Sequence, residues 1–435
     1  MKVNIIGGGL AGSEAAKYLL ERGYEVHLFE RRPKVDDHAH VTSMFGELVC
    51  SNSLKSKKLD NACGLLKEEI RLMDSIMMEA SIQSEVPSGN ALSVDRDAFA
   101  CFITNKLRGY KNLVIHEEDV SILGDEPTIL ATGPLTSEPL LKELSKIVEK
   151  DNLSFFDASA PIVKKSSINF DKAYFKSRWE QGDSSYINCP FTKEEYYSFV
   201  KELNNAKRAL LHSFDTKYFE SCLPIEVIAS RGIETLRHGP LKPFGLAIEG
   251  KEKPYAVVQL RQDNAAKTLY NLVGFQTNLK WGCQKELLQS IPALENVSIV
   301  RYGIMHRNTF INSPKILNPT LQTKKRKDLF FGGQITGVEG YSESIATGLL
   351  AGINMTRFIK GKELLTLSKD TMLGALCNYI TYEEHTKLNP INSNWGILPT
   401  LEVEKKYRKD KKYKANIYVQ NSLNYLKELV KEELI

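Results

Sequence analysis

Short apolar runs alternate with stretches of helical period at the start of this chain, a pattern that predicts a βαβ unit. Val3–Ile6 is an apolar run of strand length. Ser13–Arg22 sets Ala15, Ala16, Leu19 and Leu20 at helical spacing, Gly23 stops that helix, and Glu25–Glu30 predicts a second strand ending on an acid. Two later apolar runs have the same character. Pro127–Leu130 runs into Ala131-Thr132-Gly133, and Leu329–Phe331 runs into Gly332-Gly333-Gln334, then through Gly337, Gly340 and Tyr341 into a small-residue helix over Ser344–Ile353. Residues 166–299 differ, with scattered aromatic and charged positions, a strand at Tyr255–Leu260 and a helix across Glu194–Leu211. No internal repeat marks a solenoid or propeller.

The turn between the first strand and helix reads Gly7-Gly8-Gly9-Leu10-Ala11-Gly12, which satisfies G-x-G-x-x-G. Glycines there allow a tight turn and close approach of a pyrophosphate to a helix N-terminus, whose N–H groups and dipole favour an anion. Glu30 follows at the distance where a carboxylate meets the adenosine ribose. Strand before, helix after and acid at the right spacing make this a dinucleotide site. The Ala131-Thr132-Gly133 segment resembles one that recurs in flavoproteins with two dinucleotide domains. The distant Gly333 and Gly337 segment, opening a helix that could stabilise negative charge on a reduced isoalloxazine, is more than an NAD-only domain needs. The alternative is an ordinary buried βα unit. We expect FAD, and an α/β fold: a Rossmann-type FAD-binding domain of the two-dinucleotide-binding kind with a large α/β insertion. The expected divisions are residues 1–165 and 300–370 for the two parts of the FAD-binding domain, 166–299 for the insertion that builds the substrate surface, and 371–435 for a helical, basic C-terminal segment.

The 435 residues are enough for two or three domains, and 42% hydrophobic with 26% charged residues is ordinary globular usage. The N-terminus enters the first motif directly, unlike a signal peptide, and no apolar run reaches the roughly 18 residues of a membrane helix. Seven cysteines without framework spacing read as reduced thiols, so a cytoplasmic protein is expected. Net charge is only +5, but it is concentrated: Lys405, Lys406, Arg408, Lys409, Lys411, Lys412 and Lys414 lie within ten residues, interleaved with Tyr407 and Tyr413. Such a run can meet phosphates and stack on bases, or form a solvated helix face. Nothing in the sequence points to a stable protein partner.

Two cysteines have unusual polar surroundings. Cys50 ends the strand-like run Glu47–Val49 and is followed by Ser51-Asn52-Ser53, which suits a loop beside a cofactor. Cys222 lies in Glu220-Ser221-Cys222-Leu223-Pro224, where the proline fixes the local turn. Cys63, Cys101, Cys189, Cys283 and Cys377 read as inert core residues. No Cys/His spacing supports a metal, and no G-x-S-x-G elbow supports a serine nucleophile. Arg96 could serve a folate glutamate, an NAD(P)H phosphate or, the reading we favour, a structural ion pair.

Taken with Asn61–Glu69, Val94–Asp97, Cys222–Glu226, Pro254–Gln262, Val273–Lys280, Arg301–His306 and Gly332–Gly340, these motifs resemble the folate- and FAD-dependent RNA uridine-5-methyltransferases, along almost the whole chain. The sequence departs from that family's pattern at Ser221 and His238. The resemblance implies methylation of uracil C5, with position 54 of the transfer RNA T-loop as the expected target, 5,10-methylenetetrahydrofolate as carbon donor, and NADPH or NADH as reductant of the flavin. It implies Cys222 as the nucleophile adding to C6, Cys50 as a second thiol near the flavin and Tyr341 as proton acceptor. A thiolate at C6 makes an enolate of C5, which uracil unaided does not offer. Two rival readings are the same chemistry on a uridine of large-subunit ribosomal RNA and a small-molecule flavin oxidoreductase, which would require neither special thiol.

Overall fold

In the computed structural model, the described residues are 1–35, 39–147, 153–178, 186–209, 223–250, 252–303, 305–385 and 388–432. The first apolar runs form a five-stranded parallel sheet, in the order Leu329–Phe331, Thr128–Leu130, Lys2–Ile6, Glu25–Glu30, Leu113–Glu117. Parallel strands need crossover connections, and the first is the helix Leu10–Glu21. Against that helix lies Tyr341–Ile359, which begins three residues earlier and ends six later than the expected helix. The two approach closely because of their small residues: a Cβ on Gly348 would fall 2.3 Å from the Ala11 carbonyl oxygen. Ile5, Leu19, Leu28, Ile129, Phe330 and Leu350 join one continuous core on this sheet.

A second core is built on a six-stranded sheet in the order Tyr174–Phe175, Tyr186–Phe191, Ala256–Gln262, Leu269–Leu272, Ile162–Lys164, Ile299–Arg301. The strand expected at Tyr255–Leu260 thus runs Ala256–Gln262, and every residue of it is buried. The helix expected across Glu194–Leu211 is Lys193–Asn205. It starts in a capping box, where Thr192 accepts from Glu195 N and the Glu195 carboxylate accepts from Thr192 N. A small sheet of Ser53–Ser56, Ala91–Val94 and Glu85–Val86 and a two-stranded ribbon of Leu153–Ala158 with Met305–Phe310 complete the strands.

Toward the C-terminus, the helix Met372–Ile380 belongs to the first core. Its N-terminal amides, at Met372 and Leu373, donate to the carboxylate of buried Glu69, which also accepts from Ser422 Oγ on the helix Lys411–Lys431. One buried acid therefore ties three helices together. Burial pushes the Glu69 carboxyl up to about 7 against these hydrogen bonds. Glu14 makes the same kind of cap for the helix Ile76–Gln83, accepting from Ile76 N, Met77 N and Ser75 Oγ, and burial raises it to about 7 as well.

Candidate active site

A cleft enclosing roughly 1160 Å³, counting its open mouth, lies at the carboxyl ends of the three adjacent strands Lys2–Ile6, Thr128–Leu130 and Leu329–Phe331. That is where ligands bind in doubly wound sheets. Gly7, Gly9, Leu10, Ala11, Glu30, Gly133 and Gly333 line it, with Cys50 and Tyr341. The sequence-derived site residues from four distant segments meet here.

The fingerprint glycines divide by purpose. A Cβ on Gly12 would lie 1.8 Å from the Gly7 carbonyl oxygen, so this glycine serves the turn–helix packing. Gly8 is also hemmed in, with Phe45 and the Glu30 carboxylate at 2.7 and 3.0 Å from its would-be Cβ. Gly9 has an ordinary φ of −73° and nothing within 4 Å of a Cβ. No neighbour or backbone strain in the protein demands glycine there. The space a side chain would take belongs to the cleft, directly at the N-terminus of Leu10–Glu21, which fits a pyrophosphate. Gly337 is not among the cleft residues; at φ +91° it closes the turn after Gln334–Thr336 and packs against Leu388.

Glu30 is buried and its carboxylate accepts from Gly8 N at 3.0 Å, Arg32 N at 3.1 Å, and Arg32 Nε and Nη2 at 2.9 and 3.0 Å. Burial alone would raise its pKa, but the guanidinium and the backbone donors outweigh it and hold the group below the usual carboxylate range. Those four bonds fill a carboxylate's acceptor capacity. A sugar hydroxyl would therefore have to replace one of them.

Cys50 lies in a loop. The run before it, expected to be strand-like, pairs with no strand among the described residues, and side chains do the work a ladder would have done. Tyr341 Oη accepts from Cys50 N at 2.8 Å and Ser51 N at 3.0 Å. Arg96 Nη1 donates to the carbonyls of Leu48 and Val49, while its Nε pairs with Asp263 at 3.2 Å. Arg261, itself buried, donates to Ser51 Oγ and Asn52 Oδ1. Asn52 in turn donates to Val94 O and Gln262 O. Arg96 thus has the structural ion pair expected of it, and also holds the cysteine loop. Arg301 lies within electrostatic reach of Cys50, as it does of Arg96 and Glu47, and burial lowers its pKa. Burial raises the Tyr341 phenol above its ordinary value, so it is neutral, with its oxygen committed to two N–H donors.

Cys222 and the residues before it lie outside the described residues. Leu223 follows directly, and Ile225 N donates to Gln276 O at 2.7 Å. Next to it Glu226 is buried, accepting from Thr277 Oγ1 and Asn278 N. Arg237 is engaged with Tyr255, lying 4.1 Å over its ring. Of the cysteines expected to be core, Cys189 and Cys377 are buried, and burial pushes Cys377 up to about 12. Cys63 and Cys283 are half-buried. Cys101 is exposed: its helix, Arg96–Arg108, turns only Phe99, Ala100, Ile103 and Leu107 inward. Among the basic C-terminal residues, Lys405, Lys406, Arg408, Lys409, Lys411 and Lys412 are all exposed, and Tyr407 stacks on Tyr413 with centroids 4.1 Å apart.

Several residues of the site were given no role in the sequence. Arg261, Asn52 and Arg301 lie in segments that carry the family resemblance, but no local pattern assigns them a function. Outside the cleft lining, Lys67 also went unmarked: nearly fully buried, it donates to the carbonyls of Leu54 and Cys63, and burial draws its ammonium down to about 8. The lysine sits among apolar positions of Ala62–Leu72, and that break in the period was its signal.

The family model for glucose inhibited division protein A matches residues 2–363. The methylenetetrahydrofolate--tRNA-(uracil-5-)-methyltransferase TrmFO of Bacillus subtilis (strain 168) is 52% identical over 412 residues, 94% of either chain. The enzyme of that name from Anoxybacillus flavithermus (strain DSM 21510 / WK1) is 51% identical over 435 residues, 99% of this chain and 100% of its own. Among solved structures, Aquifex aeolicus GidA in its form II crystal covers 100% of this chain and 74% of its own with a TM-score of 0.71; at 19% identity this is a likeness of fold. Sharing half its residues with such relatives along nearly its whole length, the chain belongs to the GidA family and, within it, to the methylenetetrahydrofolate--tRNA-(uracil-5-)-methyltransferases.

Proposed function

We propose that this protein methylates C5 of a uracil in transfer RNA, position 54 of the T-loop being the expected target, with FAD as cofactor, 5,10-methylenetetrahydrofolate as donor and NAD(P)H as reductant. The donor, the RNA class and the target carbon are those in the relatives' names. The observation that carries the reading is the placing of Cys50: a loop thiol, held by Tyr341, Arg96 and Arg261, in the lining of a glycine-walled cleft at the strand ends.

The fingerprint Gly7–Gly12 would hold the FAD pyrophosphate at the N-terminus of Leu10–Glu21, with Gly133 and Gly333 bordering the same space. When bound, FAD supplies the redox chemistry that turns a folate methylene into a methyl group. The chain's own share is covalent activation and proton handling. Cys222 Sγ, as thiolate, adds to uracil C6 and makes an enolate nucleophilic at C5. After carbon transfer the C5 proton leaves to a base and the thiolate is eliminated, which restores the ring double bond. Cys50 is the second thiol, placed in the lining of the same cleft. Tyr341 fixes the backbone of that cysteine; a neutral phenol accepting two N–H bonds suits a positioning residue better than a proton acceptor.

The exposed Lys405–Lys412 run, with its stacked tyrosines, would meet RNA phosphates. No described helix is long and apolar enough to cross a membrane; with transfer RNA as substrate, the site of action is the cytoplasm. The deciding experiment supplies unmodified transfer and ribosomal RNA, labelled methylenetetrahydrofolate and NADPH, and maps the labelled base. Label in 5-methyluridine of transfer RNA is expected. Label arriving only from S-adenosylmethionine would overturn the mechanism, and label confined to ribosomal RNA would overturn the substrate.

A further inference from the structure

Trp281 is 60% exposed, an unusual place for so large an aromatic surface, and its ring stacks on Tyr302 with centroids 5.3 Å apart and planes 16° from parallel. The pair is rigidly supported from beneath. Buried Gln284 donates to Leu279 O at 2.7 Å and Gly303 O at 2.8 Å and accepts from Gly303 N at 2.9 Å, so the segments bearing the two rings are bolted to each other.

The position of this pair is what gives it meaning. Residues 276–280, which lead into Trp281, carry both roots of the segment that contains Cys222. Asn278 O accepts from Ala209 N before it, and Gln276 O accepts from Ile225 N after it. On the other side, Arg301 precedes Tyr302, donates to Ala39 O at 2.6 Å and lies within electrostatic reach of Cys50. The stacked rings therefore belong to two segments, one that carries both roots of the Cys222 segment and one tied to Ala39, ahead of the Cys50 loop. Lys207, Arg208, Lys280 and Lys285 are exposed around them, and Lys280 N donates to Lys207 O, which keeps the first three together.

We propose that Trp281 and Tyr302 form a stacking platform for a nucleobase of the RNA substrate, with the surrounding cations taking its phosphates. An aromatic face beside a cationic groove is the chemistry that binds unpaired nucleotides. Reaction at C5 and C6 requires a uracil to leave its stack, and a rigid ring pair replaces the stacking that the RNA gives up. The inference rests on the proposed function, since it takes RNA to be the substrate.

The test compares Trp281→Ala and Trp281→Phe with the wild type, using unmodified transfer RNA, direct RNA binding and the methylation assay. FAD content at wild-type stoichiometry checks the fold. In Trp281→Ala, RNA affinity should fall about tenfold or more, the size of one lost base–aromatic stack, and KM for RNA should rise in step. The KM for methylenetetrahydrofolate should stay put, and Trp281→Phe should recover most of the loss. RNA quenching of tryptophan fluorescence should shrink markedly in Trp281→Phe. Unchanged RNA affinity in Trp281→Ala overturns the platform, and so does a rise in the folate KM instead, which would mean that the rings stack on a pterin. Should the wild type bind transfer RNA but methylate none, the proposed function fails while the binding comparison still decides the platform.

Discussion

Removing one oxygen, in Tyr341→Phe, separates positioning from proton transfer in this site. The ring and its packing stay; what goes is the acceptor of Cys50 N at 2.8 Å and Ser51 N at 3.0 Å. An unsatisfied buried donor costs about 1–3 kcal/mol. Tyr341 is only half-buried, so water takes up part of that, and a local loosening of about 2 kcal/mol for the pair is the expected scale. Arg96 and Arg261 still hold the loop at Leu48, Val49 and Ser51, so the protein should fold and retain FAD. The Cys50 backbone would gain freedom, and misplacement of about 1 Å in a reacting group costs on the order of 100-fold in rate. Single-turnover methylation at saturating RNA and folate is the assay. The decisive comparison is the double variant Cys50→Ala/Tyr341→Phe. If Tyr341 acts through Cys50, the double variant is no slower than Cys50→Ala alone. A further loss of 100-fold on top of Cys50→Ala would show that the phenol has chemistry of its own and would refute the positioning argument.

Other outcomes follow from the same geometry. Gly9→Asp should abolish FAD copurification, since it puts a carboxylate where the pyrophosphate approaches; a folded variant with full flavin content would exclude that placement. Cys222→Ala should keep FAD, keep RNA affinity within a few-fold and lose methylation by several orders of magnitude. RNA bearing 5-fluorouridine should trap the wild type as a covalent adduct and leave Cys222→Ala free, whereas an adduct lost only in Cys50→Ala would reassign the nucleophile. Glu69 and Glu14, raised to about 7 when folded, contribute stability that is fully present below their unfolded pKa and lost as pH rises through 7. Denaturation midpoints from pH 5 to pH 8 should therefore fall more steeply for the wild type than for Glu69→Gln, by up to about 3 kcal/mol over that interval. Parallel slopes would mean that Glu69 titrates normally.

What the sequence made legible was local. The strand Glu25–Glu30 could be read to the residue because its apolar run has turn signals at both ends, and the fingerprint turn because Gly7 and Gly12 meet close backbone approaches while Gly9 leaves cleft space open. The Glu47–Cys50 run misled because apolar residues at strand spacing state only that a segment is buried, not that a partner strand exists. Cys101 misled for a related reason: a small apolar residue type does not say which face of its helix it occupies, and the period of Arg96–Arg108 does. The contacts of Arg261, Asn52 and Arg301 were not legible because these residues reach a segment more than 200 residues away or, for Asn52, reach back.

That long reach follows from the chemistry the loop must present. A thiol needed at the edge of a cofactor cleft cannot lie in a ladder, whose geometry would aim it along the sheet normal and surround it with apolar neighbours. Once the chain leaves the ladder, the amides of Cys50 and Ser51 and the carbonyls of Leu48 and Val49 still need partners. Here the amides are met by the phenol of the helix Tyr341–Ile359 and the carbonyls by the Arg96 guanidinium of the helix Arg96–Arg108, while Arg261 on the strand Ala256–Gln262 holds the side chains of Ser51 and Asn52. The guanidinium groups that hold the loop also bring positive charge to the segment that carries the sulfur. It follows that Arg261→Met, which keeps the bulk of the buried side chain but neither its donors nor its charge, should lower the reactivity of Cys50 toward an alkylating probe at pH 7. Reactivity equal to that of the wild type, in a variant that retains FAD, would show that the arginine only holds the loop.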